Sequence, residues 1–422
     1  MALYNLLIHL LLPLVVTYVI VGRAWGHRGA IEIGRRWRVP EVPSAPPGRK
    51  RVVCHAASLG ENRAIGVLIR SMRERWPELD IGITVTTSTG LAEAGRQGIA
   101  DWQVHLPLDF PWMLGPFLDR LKPDLVLVAE SEIWPNFLSA CHARGIPVIY
   151  VNGRLSSRTE SVYQAFCKFY SRILRPVRLF LVQGESEVRR LRMMGQTGNR
   201  VQVVGDLKAD RALLAARGVD AATLRASLGL LEGPVLVAGS THEGEEAVLI
   251  EAVRILQSQN LNVNLVLAPR HLERLGRIIS LLQRGDLTWR SRSDGLHEAP
   301  VQVLLIDTYG ELADLYAVGD FAFVGGSLVD VGGHSLVEPA VFAQPLIVGP
   351  FARNFQTEVE CLASYGGLEV VDGPDTMASV LGRWMLSPDR RVEAGAGARR
   401  AVESMGGALE RTVGAIECYM EN

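Results

Sequence analysis

Cysteine is scarce in this chain. Five occur among 422 residues (Cys54, Cys141, Cys167, Cys361 and Cys418), an odd number with no C-x-x-C pair. That spacing builds neither a disulfide framework nor a zinc site and fits a reducing compartment. A charge surplus is also missing: Lys plus Arg number 44 and Asp plus Glu 45, for a net charge of −1. Nucleic-acid binding draws on a basic excess, so nucleic acid is not an expected partner, although local basic patches stay open. Between residues 1 and 21 no side chain carries a formal charge, His9 aside. A cleaved secretion signal would show a basic start and a small-residue cleavage site, and both are absent. The run therefore reads as an uncleaved anchor or a helix embedded in one leaflet, with a buried core helix as the competing account. Pro13 is the place for a kink.

Past the apolar run the composition reverses. Arg23, Trp25, His27, Arg28, Arg35, Arg36, Trp37 and Arg38 set cations and indoles where anionic headgroups lie, which predicts an inner-membrane protein with its body in the cytoplasm. Residues 1–24 are the expected anchor and 25–50 a basic linker, Pro-rich at 40–47. A chain of this length exceeds one hydrophobic core. Short β-branched runs alternate with amphipathic stretches at 51–57, 81–87, 102–108, 124–129, 147–151, 179–183 and 201–204. The rhythm restarts at 234–238, 263–267, 301–306, 321–324 and 345–348. Such alternation predicts the α/β class, with two doubly wound Rossmann-like domains at 51–210 and 211–395, and a helical segment at 396–422. Ligands bind such sheets outside the strand carboxyl ends, so a cleft between the domains is expected.

The chemistry should then lie just after the strands. Ser58-Leu59-Gly60-Glu61 follows the first, with Gly60 read as permitting a tight turn. Glu61 is open to two roles, helix cap or general base for an acceptor hydroxyl. Glu130-Ser131-Glu132 follows the fourth, an i, i+2 carboxylate pair read as extended and facing one way, with Trp134-Pro135 ending the strand. Arg154 with Ser156, Ser157 and Arg158 suits an anion or sugar, or else a helix cap. In the second half, Ser240 to Glu245 offers amides, hydroxyls and His242 at a helix entry, while Arg270 suits a phosphate or a surface ion pair. Tyr309-Gly310-Glu311 and the glycines 325, 326, 332 and 333, leading to Glu338, complete the set. Glycine lets amides approach a phosphate, and a carboxylate at such a helix start accepts from ribose hydroxyls; packing is the rival explanation for these glycines.

Taken in order, HAASLGE, ESEIWPN, NGRLSSRT, GDLKAD, AGSTHEGEE, APRH, DTYGELADLYAVGDFAFVGGSL and GGHSLVEPA closely resemble the 3-deoxy-D-manno-octulosonic acid (Kdo) transferases of lipopolysaccharide and lipid A synthesis. The resemblance covers nearly the whole chain. It implies an inverting GT-B glycosyltransferase that takes Kdo from CMP-Kdo to a membrane-borne lipid A precursor, with no cofactor. By this resemblance Glu61 looks like the proton acceptor and Glu130 like a second required carboxylate. Pro269, Arg270, Tyr309, Gly310, Glu311, Ser335, Leu336, Val337 and Glu338 look like contacts to CMP, with Lys208 and Ser240 as further donor contacts. Ser58, Gly60 and Arg154 are assigned to the acceptor. The expected leaving group carries a single phosphate and no D-x-D sequence occurs, so no catalytic metal is expected. Arg35, Arg36, Arg38, Arg49, Lys50 and Arg51 suit the acceptor's phosphates or simply lipid headgroups. The chain departs from the family where Ser335 and Leu336 replace the usual Asn and Pro, and where Asp206 replaces Asn. Two alternatives stay open: a GT-B envelope enzyme using a UDP-sugar, and a non-catalytic membrane-tethered nucleotide-sugar binder.

Overall fold

A computed structural model of the chain describes residues 1–156, 159–295 and 299–421; Ser157 and Arg158 lie outside them. The chain divides into two compact units, Met1–Asp210 with Gly406–Asn422, and Arg211–Met405. In the first, the strands are β1 (Arg51–His55), β2 (Asp80–Val85), β3 (Trp102–His105), β4 (Leu125–Ala129), β5 (Val148–Gly153), β6 (Val177–Val182) and β7 (Val201–Val203). They form one parallel sheet in the order β3-β2-β1-β4-β5-β6-β7. Alternation decides which face each residue serves. Val52 and Cys54 join one apolar layer with Leu125 and Leu127, whereas Val53 joins the other with Val126 and Val128. Both faces are covered, so the strands read as continuous apolar runs.

The second unit holds β8 (Val235–Thr241), β9 (Asn264–Pro269), β10 (Trp289–Ser291), β11 (Val303–Leu305), β12 (Phe321–Val324), β13 (Leu346–Val348) and β14 (Leu368–Val370). Their order is β10-β11-β9-β8-β12-β13-β14, again parallel. Five strands were expected here; the two additional ones, β10 and β14, are three-residue edges too short to show a period. In both sheets the chain leaves from a central strand in opposite directions, so β1/β4 and β8/β12 are the topological switch points.

The terminal residues expected at 396–422 are not one body. The helix Pro388–Met405 belongs to the second unit, while the helix Ala408–Glu421 returns to the first, where Val413, Ile416 and Met420 join its core. Asp210 fixes that return by accepting from the amides of Gly407 (2.8 Å) and Leu409 (3.1 Å).

At the other end, the helix Ala2–Ala24 is long and apolar enough to cross a membrane, with Pro13 inside it. It packs along the helix Arg28–Arg35, where Gly22 lies so close to Ala30 that a Cβ would approach to 2.5 Å. The phosphate-binding role considered for Arg36 and Arg51 does not hold. Arg51 is fully buried, paired with Asp80 at 2.5 Å and donating to the carbonyls of Pro43 and Leu121. Arg36 is buried too, donating to Leu106 O at 2.9 Å and stacked over Trp134. Their charge serves packing, because a buried guanidinium is held by the groups that satisfy its donors.

Candidate functional site

In the first unit, β1 runs through Ala57 into Ser58, which caps the helix Leu59–Arg75. The Ser58 hydroxyl accepts from Glu61 N (3.3 Å) and donates to Glu61 Oε1 (3.0 Å), and Ala57 N donates to Glu61 Oε2 at 2.7 Å. Glu61 is thus the third residue of a reciprocal cap, anchored at the switch point. Two donors occupy about half of a carboxylate's four or so lone-pair sites, so the cap leaves acceptor capacity free. Gly60 makes no tight turn: its φ is not in the left-handed region, and a Cβ there would meet only Ser58 Oγ, at 3.9 Å.

Glu130 leaves β4 with φ 53°, in the left-handed region, while its amide still donates to Val151 O at 3.0 Å. The turn replaces the extended Glu130/Glu132 pair expected, and Pro135 opens the next helix instead of ending a strand. Burial pushes the Glu130 carboxyl up to about 7; Glu61 is the next cause, Asp206 and Glu132 add to it, and Arg154 opposes them. Asn152, also left-handed (φ 53°), accepts from Leu207 N at 3.1 Å and ties this cluster to the loop after β7. There Asp206 accepts from Lys208 N at 2.9 Å, so Lys208 belongs to the unit of Glu61, not to the unit expected to hold the donor. Beneath, buried His55 takes the Trp134 indole N–H on Nε2 (3.2 Å), which leaves that nitrogen unprotonated. Its 4.0 Å approach to Glu132 is therefore not an ion pair. Burial holds the His55 imidazole down at about 3.

In the second unit, the strand order β11-β9-β8-β12 sets four distant segments at neighbouring carboxyl ends. Tyr309-Gly310-Glu311 follows β11, Arg270 follows β9, Ser240 and His242 stand at β8, and residues 325–338 follow β12. Ser240 has φ 56° and sits at a register shift between β8 and β9, a bulge that re-aims its side chain. Tyr309 is 73% exposed on its loop.

Several amides of the glycine loops, expected to form a phosphate cradle, are already taken within the protein. Fully buried Glu245 accepts from His242 N (2.8 Å) and Gly326 N (2.8 Å) on one oxygen, and from Ser327 N (2.9 Å) and Leu328 N (2.9 Å) on the other. Gly333 N is taken by Gly326 O at 2.7 Å, and Leu336 N by Glu358 at 2.7 Å. Gly325 is required for packing, since a Cβ would stand 2.4 Å from Ser240 O. Leu336 and Val337 are buried and present no side chain to a ligand; Pro269 is buried at the end of β9. Glu311 is held by Arg292 (3.1 Å) and by the Thr308 hydroxyl, and Glu338 faces Arg211 at 3.5 Å.

Side chains supply the positive character instead. His242 and His334 stack with their Nε2 atoms 3.0 Å apart, His271 packs edge-on to His242, and exposed Arg270 adds its charge to the group. An N···N contact holds one proton, so the two rings are not both cationic. Burial holds His334 at about 4, with His242, Arg270 and His271 pressing the same way. Burial lowers His242 as well, and an anion beside His242 and His334 would favour their protonated forms. Sequence reasoning did not assemble these histidines into a site. Their signal was one imidazole in each of three post-strand loops.

A family profile described as 3-Deoxy-D-manno-octulosonic-acid transferase (kdotransferase) matches residues 32–211. The chain is similar to the 3-deoxy-D-manno-octulosonic acid transferase of Haemophilus influenzae, at 30% identity over 99% of this chain and 98% of that one. Its counterpart in Bordetella pertussis is 33% identical over 94% of this chain and 93% of the relative. Among solved structures, UDP-GlcNAc 2-epimerase from Neisseria meningitidis aligns with TM-score 0.61 and 14% identity over 87% of this chain and 100% of that one. That likeness is one of fold, the two-sheet GT-B architecture.

Proposed function

Because the chain belongs to the 3-deoxy-D-manno-octulosonic acid transferase family, and is thereby a glycosyltransferase of lipopolysaccharide synthesis, we propose that it transfers Kdo from CMP-Kdo to a lipid A precursor hydroxyl with inversion. Glu61 accepts the hydroxyl proton, the acceptor oxygen attacks the anomeric carbon, and the bond to the CMP phosphate breaks with its electron pair leaving on CMP. The observation that carries this function is the Glu61 carboxylate anchored by Ala57 N and Ser58 at the end of β1. Glu130 serves as the second carboxylate, and Arg154, Ser58 and the open helix start at Gly60 serve the acceptor. Arg270, Ser240, Tyr309, Gly310 and Glu338 serve the donor, with His242 and His334 added to them. Charge growing on the departing phosphate is met by Arg270 and these imidazoles, without a metal.

The first helix supports a seat in one leaflet rather than a span. Its opening turns are fastened to the first unit: Tyr4 OH donates to Asp109 (2.8 Å), Asn136 donates to Asn5 (2.7 Å), and His9 packs on Phe110. Its far end rests on the helix Arg28–Arg35, itself tied through Glu32 to Ser88 at 2.9 Å. Leu3, Leu7, Leu10, Leu14, Tyr18 and Val21 form an exposed stripe along it, suited to acyl chains.

The test is transfer of label from CMP-Kdo or UDP-sugars to a lipid A precursor, with and without EDTA, by wild type and Glu61→Gln. Glutamine still caps a helix start but is no base. The variant should therefore melt like wild type and bind CMP, while turnover falls at least ~100-fold. Near-normal turnover would leave Glu61 a cap only. Transfer from a UDP-sugar, or loss of activity in EDTA, would overturn the donor or the metal-free chemistry.

A further inference from the structure

A groove of about 290 Å³ lies between the first two helices, lined by Val16, Val19, Ile20, Arg23, Gly34, Trp37 and Arg38. One wall is aliphatic, and two guanidinium groups border the space. Arg23 and Arg38 are exposed, and among the described residues neither has an acidic partner; the neighbouring acid, Glu32, faces Arg35 and Ser88. Gly34 keeps the space open. A Cβ there would come within 3.1 Å of Arg23 Nη1 and 3.3 Å of Val19 Cγ1. Its φ is not left-handed, so no backbone need calls for glycine. What the position gains is room.

We propose that this groove seats one anionic phospholipid molecule, its phosphate between Arg23 and Arg38 and its first methylenes against Val16, Val19 and Ile20. The chemistry selects an amphiphile over a free anion, because inorganic phosphate would leave the aliphatic wall unused. It selects an anionic over a zwitterionic headgroup, because a choline would bring a third cation to two unpaired guanidinium groups. Ile20 is exposed and adjoins the apolar stripe, so the groove opens toward the same lipid. The proposal rests on the one-leaflet reading of the first helix.

Native mass spectrometry of the full chain in neutral detergent tests it, with phosphatidylglycerol, phosphatidylcholine, a lipid A precursor and inorganic phosphate offered separately. One phosphatidylglycerol should be retained roughly 30-fold better than phosphatidylcholine, at about 1 kcal/mol for each of two arginines. Gly34→Leu, which fills the groove, and Arg23→Gln with Arg38→Gln should lose that preference while still floating with vesicles. Equal retention of phosphatidylcholine, lipid A precursor binding that Gly34→Leu abolishes, equal binding of phosphate, or undiminished preference in Gly34→Leu would overturn it. Leu7→Ser with Leu10→Ser and Leu14→Ser separates the two readings: it should lose vesicle flotation yet keep phosphatidylglycerol in micelles.

Discussion

Burial raises the Glu130 carboxyl most, the charges of Glu61, Asp206 and Glu132 add to it, and Arg154 opposes them. That carboxyl, ordinarily titrating at 4.5, is raised to about 7. The folded chain therefore holds this proton more tightly than the unfolded chain does. The resulting stabilisation is complete below the usual carboxylate range and is lost as pH rises through about 7. Asp206 is one of the raising charges and also a departure from the family's usual Asn. Asp206→Asn should shift the Glu130 titration to lower pH and make melting temperature fall less between pH 5 and 8. Carboxyl NMR of Glu130 checks the first effect and thermal scans the second; an unmoved titration would remove Asp206 from its neighbourhood. The sequence singled out Glu130 as a candidate because a charge directly after an apolar strand has little packing use, and left Glu61 open between cap and base; the cap is what the fold displays. The left-handed turn at Glu130 was not legible, since nothing local distinguishes it from an extended continuation.

The elements around the second cluster are held by one side chain. Glu245 opens the helix Glu245–Ser258 and, through four amides, clamps the loop after β12 to the end of β8. Glu245→Ala would leave those amides buried and unpaired, at about 1–3 kcal/mol for each unpaired donor before relaxation. A loss of about 3–5 kcal/mol from the second unit's unfolding transition is expected in urea, with CMP affinity falling alongside. A loss below about 1 kcal/mol would mean the loop is held by other contacts. From sequence, Glu245 was one acid among several at a helix entry. The glycines after β12 read as a phosphate cradle because their spacing suits both uses. Which use prevails depended on a carboxylate more than 80 residues away in the chain.

At the scale of the molecule, the first unit is built from two stretches of chain. The helix Ala408–Glu421 contributes Val413, Ile416 and Met420 to its core, with Arg411 donating to Val204 O at 2.8 Å. Ending the chain after Met405 should cost the first unit about 5 kcal/mol, at roughly 1.5–3 kcal/mol per buried apolar side chain. The second unit, continuous from Arg211 to Met405, should keep its own transition. Two-transition calorimetry reads both, and an unshifted first-unit melt would refute the assignment. The sequence by itself determined the two parallel α/β arrays, the one apolar helix and the acids and cations that follow the strands. These rest on period, composition and neighbours within a few residues. Strand order was decided only by the tertiary structure, and with it came the pairing of Glu61 with Glu130, the gathering of three imidazoles, and the burial of Arg36 and Arg51. Such outcomes depend on which distant segments exclude water from one another, and that is a property of the packed chain rather than of any stretch within it.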